Sequence, residues 1–162
     1  MTGIWNKAAL LKTAGCGIAA AALALSAPAA AQMNVYENYA PSDQVVEMTL
    51  VKVDEGQFET YLEGIKGTWV AANEIAKELG HITDYGIYGV PYGENEFNMV
   101  LVVVFPNTES IGPSRERYQE FLEAYGQANI DQGNTTVIEL YNEIRSIEGI
   151  YMLREIELID DE

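Results

Sequence analysis

Apolar positions alternate along Val45–Val53, a stretch rich in β-branched residues that reads as a strand. Val46, Met48 and Leu50 fall on one side of it, and Val45, Glu47, Thr49, Val51 and Val53 on the other. The period then changes. Phe58, Tyr61, Leu62, Ile65, Trp69, Ala72, Ala76 and Leu79 recur at three and four, the stripe of a long amphipathic helix. Asp54, with Gln57 three residues on, predicts a capping box at its start, and Gly80 a C-cap at its end. Gly64 and Gly67 lie within the helix, where each costs about 1 kcal/mol relative to alanine. They predict a kink or a close packing contact.

Residues 83–90 read as a second strand, with Tyr85, Ile87, Tyr88 and Val90 as packing residues, and residues 91–95 as a hairpin-type turn. Residues 97–105 are almost wholly apolar and predict a central strand stopped by Pro106. Phe97, Met99, Leu101, Val103 and Phe105 oppose Asn98, Val100, Val102 and Val104. Pro113 or Ser114 opens a helix with Tyr118, Phe121, Leu122 and Tyr125 on one face. Residues 126–133 read as a loop. Residues 134–147 read as a further helix burying Val137, Leu140, Tyr141 and Ile144, and residues 150–159 as the last strand. The polar stretch 32–44 reads as an arm, and residues 160–162 as a frayed acidic tail.

The order strand, helix, strand, strand, helix, strand predicts a ferredoxin-like α+β fold: a four-stranded antiparallel sheet with helices on one face. A sheet with one wet face would alternate apolar and polar residues. Here both faces of the first and third strands are largely apolar. The second face therefore needs a cover, most simply another copy of the same sheet.

The start of the chain changes the picture of where this domain works. Lys7 and Lys12 precede an Ala-rich apolar run from residue 18 to residue 25, and Ala29, Ala30 and Ala31 form a small-residue cleavage site before Gln32. That is the layout of a cleavable signal peptide over residues 1–31, and it predicts a periplasmic or secreted protein. The run falls short of the ~20 apolar residues of a membrane span. Cys16, the single cysteine, lies before the run rather than after it and would leave with the leader, so neither a disulfide nor a thiol is expected in the mature domain. Lys and Arg number 9 against 25 Asp and Glu, a formal charge of −16, and loss of Lys7 and Lys12 makes it more negative still. Nucleic acid and anionic membranes, which need a basic footprint, are excluded as partners.

Candidate chemistry is sparse. One histidine and no mature cysteine remove Cys–His dyads and most zinc sites, which favour several N or S ligands. The sequence carries no calcium loop, phosphate loop or dinucleotide fingerprint, and no metal or cofactor is implied. His81, just past a helix end, is a surface histidine beside the helix dipole, a residue at a pocket mouth, or a haem ligand without a second feature to support it. Trp69 is either core or pocket wall. Tyr85 and Tyr88 face opposite ways on one strand, and each is either structural or a hydrogen-bond donor to a ligand. The polar interruptions of apolar strands are the sharpest lead. Glu47 and Thr49 share one face of the first strand, Asn98 takes the equivalent place on the third, and Arg154 interrupts the last. Glu47 and Arg154 lie on neighbouring strands, where they form a structural ion pair, lie exposed near a strand end, or join a polar cluster inside a barrel that receives the polar end of an apolar ligand. A raised carboxylate pKa would let Glu47 act as a general base.

The first strand, Phe58-x-x-Tyr61-Leu62 and Trp69, then Gly80-His81-Ile82-x-x-Tyr85, residues 98–106 and the helix from Tyr118 to Tyr125 together resemble the dimeric α/β-barrel superfamily, over residues 45–159. The resemblance is to its small exported members of uncharacterised role, and more distantly to the antibiotic-biosynthesis monooxygenase, EthD-like and NIPSNAP-like branches. It implies two protomers packed sheet to sheet, with a barrel or a sheet–helix cleft holding a small, often aromatic molecule. Three functions follow as expectations: an exported homodimer that binds an amphipathic or aromatic ligand in its barrel; a cofactor-independent oxygenase or isomerase using Glu47, Tyr88, Asn98 or His81; or a structural dimer with a solidly packed barrel.

Overall fold

A computed structural model describes residues 33–93 and 96–159. The expected leader over 1–31 and the acidic tail 160–162 lie outside the described residues. Strand β1 (Tyr39–Pro41) is followed by β2 (Val45–Val53), then α1 (Phe58–Ile65) and α2 (Ala71–Glu78), joined by a π-helical turn at Lys66–Val70. Then come β3 (Asp84–Gly89), β4 (Met99–Phe105), a 3-10 turn at Thr108–Ile111, α3 (Arg115–Tyr125) and α4 (Gln127–Thr136). A second π-helical turn at Val137–Tyr141 leads through the single turn α5 (Asn142–Ile144) to β5 (Arg145–Leu153) and β6 (Ile156–Leu158).

The main sheet has the order β3-β4-β2-β5 and every neighbouring pair is antiparallel. Each helical connection thus returns to the sheet with one strand skipped, which is the double split β-α-β arrangement of a ferredoxin-like domain. The expected fold class holds. A smaller sheet pairs β1 with β6, so part of the expected arm is a strand and the expected last strand is two.

Register decides which residues share a face, because directly opposed residues of an antiparallel pair point the same way. Tyr85, Val103, Glu47 and Met152 form one row across the sheet, and Ile87, Leu101, Thr49 and Ile150 the next. These rows face the helices. There Val51, Val53, Tyr61, Ile65, Met99, Leu101, Tyr141 and Ile144 make the core. The other face carries Val46, Met48 and Leu50 beside Val100, Val102 and Val104, with Gly86, Tyr88, Gly149 and Tyr151 on the flanking strands. Asn98 was expected to share a face with Glu47 and Thr49. It does not: Glu47 opposes Val103 and Thr49 opposes Leu101, so the apolar series of β4 that contains Met99 shares their side.

Helix boundaries differ from expectation for local reasons. Gly56 at φ 77° turns the chain, the Gln57 amide donates to the Asp54 carbonyl at 3.0 Å, and α1 starts at Phe58 without a side-chain cap. The Asp54–Gln57 pair makes a turn, not a capping box. Ser114 does cap α3, its hydroxyl accepting from the Arg117 amide at 3.3 Å, and Gly80 ends α2 at φ 72°. The expected loop 126–133 is helical. Its polar side chains bond within their own helix: Gln127 donates to Asp131 at 2.8 Å, and the Thr135 hydroxyl donates to the Asp131 carbonyl at 3.0 Å.

Candidate functional site

A cleft of about 420 Å3 opens between the covered face of the sheet and the two helical layers. That volume lies within the range of small-molecule sites. Its floor is sheet: Leu101 from β4, Thr49 from β2, and Arg145 with Ile147 from β5. One wall is the first helical run, with Tyr61, Ile65, Thr68, Trp69 and Ala72. The other is Phe121 and Tyr125 from α3, then Asn129, Ile130 and Asn134 from α4, then Val137 and Tyr141.

The two π-helical turns shape these walls. Each widens its helix by one residue per turn, a device frequent at functional sites. The first presents Thr68 and Trp69, the second Val137 and Tyr141. Between the helices Tyr141 lies against Gly64, where an added Cβ would stand 2.8 Å from its Cε1 atom. The expected close contact at Gly64 is this one; at Gly67 an added Cβ would meet nothing within 4 Å. The Thr68 hydroxyl donates to the Gly64 carbonyl at 3.1 Å and lies 2.8 Å from the Tyr141 hydroxyl, which therefore donates to it. The Tyr125 hydroxyl reaches the Thr68 carbonyl at 3.4 Å.

Aromatic rings dominate the lining. Tyr61 and Tyr141 meet edge to face with centroids 5.1 Å apart, and Phe121 stacks on Tyr125 at 5.2 Å. Arg145 puts its guanidinium carbon 5.7 Å from the ring centres of both Tyr61 and Tyr141. Burial raises the Tyr61 phenol above its ordinary value, against the opposing pull of Arg145. Burial also raises Tyr141, while its bond to Thr68 and the charge of Arg145 pull the other way. Both phenols are neutral donors at neutral pH.

Two of the expected site residues line this cleft, Thr49 and Trp69. Trp69 also stands edge to face with Tyr85 at 5.6 Å. The Tyr85 hydroxyl donates to Glu74 at 2.7 Å, and that carboxylate raises its pKa. Tyr85 thus buttresses Trp69 from behind. His81 lies 3.0 Å from Glu120 and ties the end of α2 to α3, away from the cleft. Tyr88 is exposed on the opposite sheet face, its ring lying over Gly86. Asn98 extends the ladder: its side chain accepts from the Val53 amide at 2.8 Å and donates to the Val53 carbonyl at 2.7 Å. Glu47 is half-buried between Val103 and Met152. Of the readings open for Glu47 and Arg154, the ion pair does not form, and for Arg154 exposure just past a strand end holds. β5 ends at Leu153, and Arg154 is exposed and donates to the Thr108 hydroxyl. Tyr61, Tyr125, Tyr141 and Arg145 were not anticipated as site residues. The signal present for the first three was the glycine at position 64 facing an aromatic stripe; Arg145 had none, since its segment read as helix.

Among the described residues no group of three His, Cys, Asp or Glu side chains stands close enough to hold a metal, and no helix is long and apolar enough to cross a membrane.

The chain matches no protein-family model and no curated protein. Solved structures do resemble it. HapK from Hahella chejuensis is 7% identical, with 68% of this chain and 91% of that one covered at a TM-score of 0.42. An ethyl tert-butyl ether D (EthD) family protein from Bacillus halodurans is 12% identical over 69% and 98% at 0.40. A dimeric protein of unknown function and ferredoxin-like fold from Bacteroides fragilis is 11% identical over 74% and 99% at 0.39. The fold assignment rests on the strand order of the chain itself.

Proposed function

We propose that the protein is an exported homodimer in which each protomer holds one small, flat, amphipathic molecule in the sheet–helix cleft. One observation carries the reading: a cavity of about 420 Å3 walled by Tyr61, Trp69, Phe121, Tyr125 and Tyr141 and fitted with a few polar groups. Small-molecule sites have this make-up, an apolar body with a few placed polar groups that fix orientation. Of the two places the resemblance implies, the barrel and the sheet–helix cleft, this reading takes the cleft within one protomer.

Binding is favoured over catalysis because, among the described residues, the cleft lining contains no carboxylate and no imidazole. Glu47, Tyr88, Asn98 and His81, the residues expected for an oxygenase or isomerase, all lie outside it. The dimer reading rests on the uncovered face. Val46, Met48, Leu50, Val100, Val102 and Val104 form a continuous apolar surface with no charged residue among them. Around it Tyr88 is 58% exposed, Tyr151 50% and Leu153 44%. Large exposed apolar patches mark interaction sites. A second copy is the fitting occupant, since an uncharged patch is where two strongly acidic protomers can approach.

Native mass spectrometry of the protein purified from its own host tests both parts. The expected spectrum shows a dimer carrying a non-covalent small-molecule adduct, and Trp69→Ala with Phe121→Ala loses the adduct while staying dimeric. A bare monomer from the unaltered chain overturns the reading.

A further inference from the structure

Among the described residues Arg145 is the only charged one lining the cleft, in a chain where acidic residues outnumber basic ones 25 to 9. Its position is built by the sheet. β2 and β5 pair with a bulge between Leu50 and Val51, so that Leu50 opposes Gly149 while Val51 opposes Ile147. Glu148 is the extra residue. Without it the strand would alternate strictly, and Ile147 and Arg145 would fall on the face opposite Ile150. With it Ile150, Ile147 and Arg145 all face the helices, and Arg145 opposes Val53 at the bottom of the cleft.

The guanidinium is held but not satisfied. Tyr61 and Tyr141 flank it at 5.7 Å, and among the described residues no carboxylate pairs with it. Its Nε atom is buried without a hydrogen-bond partner. A buried donor left unmade costs about 1–3 kcal/mol, more when charged. Such a group persists where something else satisfies it. Guanidinium donors fit a carboxylate or similar planar oxyanion in a two-pronged geometry. The surrounding rings fit a flat apolar body.

We propose that the cleft ligand is an aromatic or conjugated carboxylate-type anion, with its charged group on Arg145 and its ring system among Trp69, Phe121 and Tyr125. This rests on the ligand-binding reading above and goes further by naming the ligand class and the residue that selects it. Arg145 is the specificity determinant; neutral analogues fill the same space without the two-pronged ion pair.

Calorimetric titration of the purified protein with naphthalene carboxylate and with the matching neutral carboxamide tests this. The carboxylate is expected to bind about tenfold or more tightly, the scale of one charge-assisted bond. Arg145→Met removes the preference; Arg145→Lys keeps part of it, since a point charge replaces a fork. Equal binding of the two probes to the unaltered protein overturns the assignment of Arg145 while leaving the cleft a binding site. That comparison needs no variant, so poor folding of Arg145→Met does not blunt it. A preference that survives in Arg145→Met also overturns the assignment. Failure of both probes to bind overturns the cleft reading itself, and this inference with it.

Discussion

Two faces of one sheet carry almost the same aliphatic content and meet opposite fates. On the covered face Val51, Val53 and Met99 have no solvent exposure, and the helices that cover them leave a cleft lined by Thr49, Arg145 and aromatic rings. On the open face Val46, Met48, Leu50, Val100, Val102 and Val104 are only half-buried, and no polar side chain interrupts them. The contrast separates two uses of apolar strand surface. Where polar groups interrupt it and helices arch over it, there is room and chemistry for a small molecule. Where it is smooth and unbroken it suits a protein surface of the same kind.

The sharpest break of this comparison pairs a change on each face. Val102→Asp puts a carboxylate in the middle of the open face, and in a two-fold interface each copy adds one. Burying unpaired like charges costs several kcal/mol, so dimer affinity is expected to fall by about a thousandfold or more while the protomer stays folded. Met99→Ala on the covered face does the reverse: the dimer survives and the protomer loses about 2–5 kcal/mol, the range for deleting a large buried side chain. Sedimentation velocity and denaturant unfolding read the two effects separately. If Val102→Asp leaves the mass unchanged, the open face is not the interface.

A smaller effect is expected at Gly64. Its hydrogen faces Tyr141 so closely that an added methyl would stand 2.8 Å from Cε1 and 2.9 Å from the hydroxyl oxygen. In Gly64→Ala the tyrosine must swing away from the first helical run, which breaks its bond to Thr68 and moves a wall of the cleft. Overpacking of this kind costs about 1–3 kcal/mol, against a helix-propensity gain near 1 kcal/mol. Net destabilisation with weakened probe binding is the expected result. Gly67→Ala meets open space and should stabilise the helix, with no effect on binding. Equal behaviour of the two variants would remove the Gly64–Tyr141 contact from the account of the cleft.

These cases show what could be read in advance. The order of elements, the Ser114 cap and the Gly80 stop were legible because each rests on local chemistry. The close contact at Gly64 was legible as a cost that something had to justify. Face assignment was not, since Asn98 was grouped with Glu47 and Thr49 by counting along each strand alone. Only the inter-strand register places Met99 on their side. Arg145 was hidden by the bulge at Glu148, which breaks the alternation that would have marked its strand. The helix α4 was hidden because Gly126, Asn129, Gly133 and Asn134 favour turns, while packing of this helix on the first π-helical turn favours a helix. In each case a tertiary contact outweighed a local preference.

The smallest predicted effect probes the covered face through its phenols. Tyr61 and Tyr141 both titrate above the ordinary tyrosine value of 10.0, chiefly because burial disfavours the phenolate. The folded state therefore holds protons that the unfolded state has already released, and stability falls as pH rises. The loss begins near pH 10, where the unfolded phenols ionise, and runs up to the raised folded values. Each phenol contributes at most about 1.4 kcal/mol per pH unit across that interval. Tyr61→Phe removes one of the two contributions, so its melting temperature should fall less steeply with alkaline pH than that of the unaltered protein, whatever its offset at neutral pH. If Tyr61→Phe shows the slope of the unaltered chain, the Tyr61 phenol is not shielded from water, and the covered face is wetter than its packing implies.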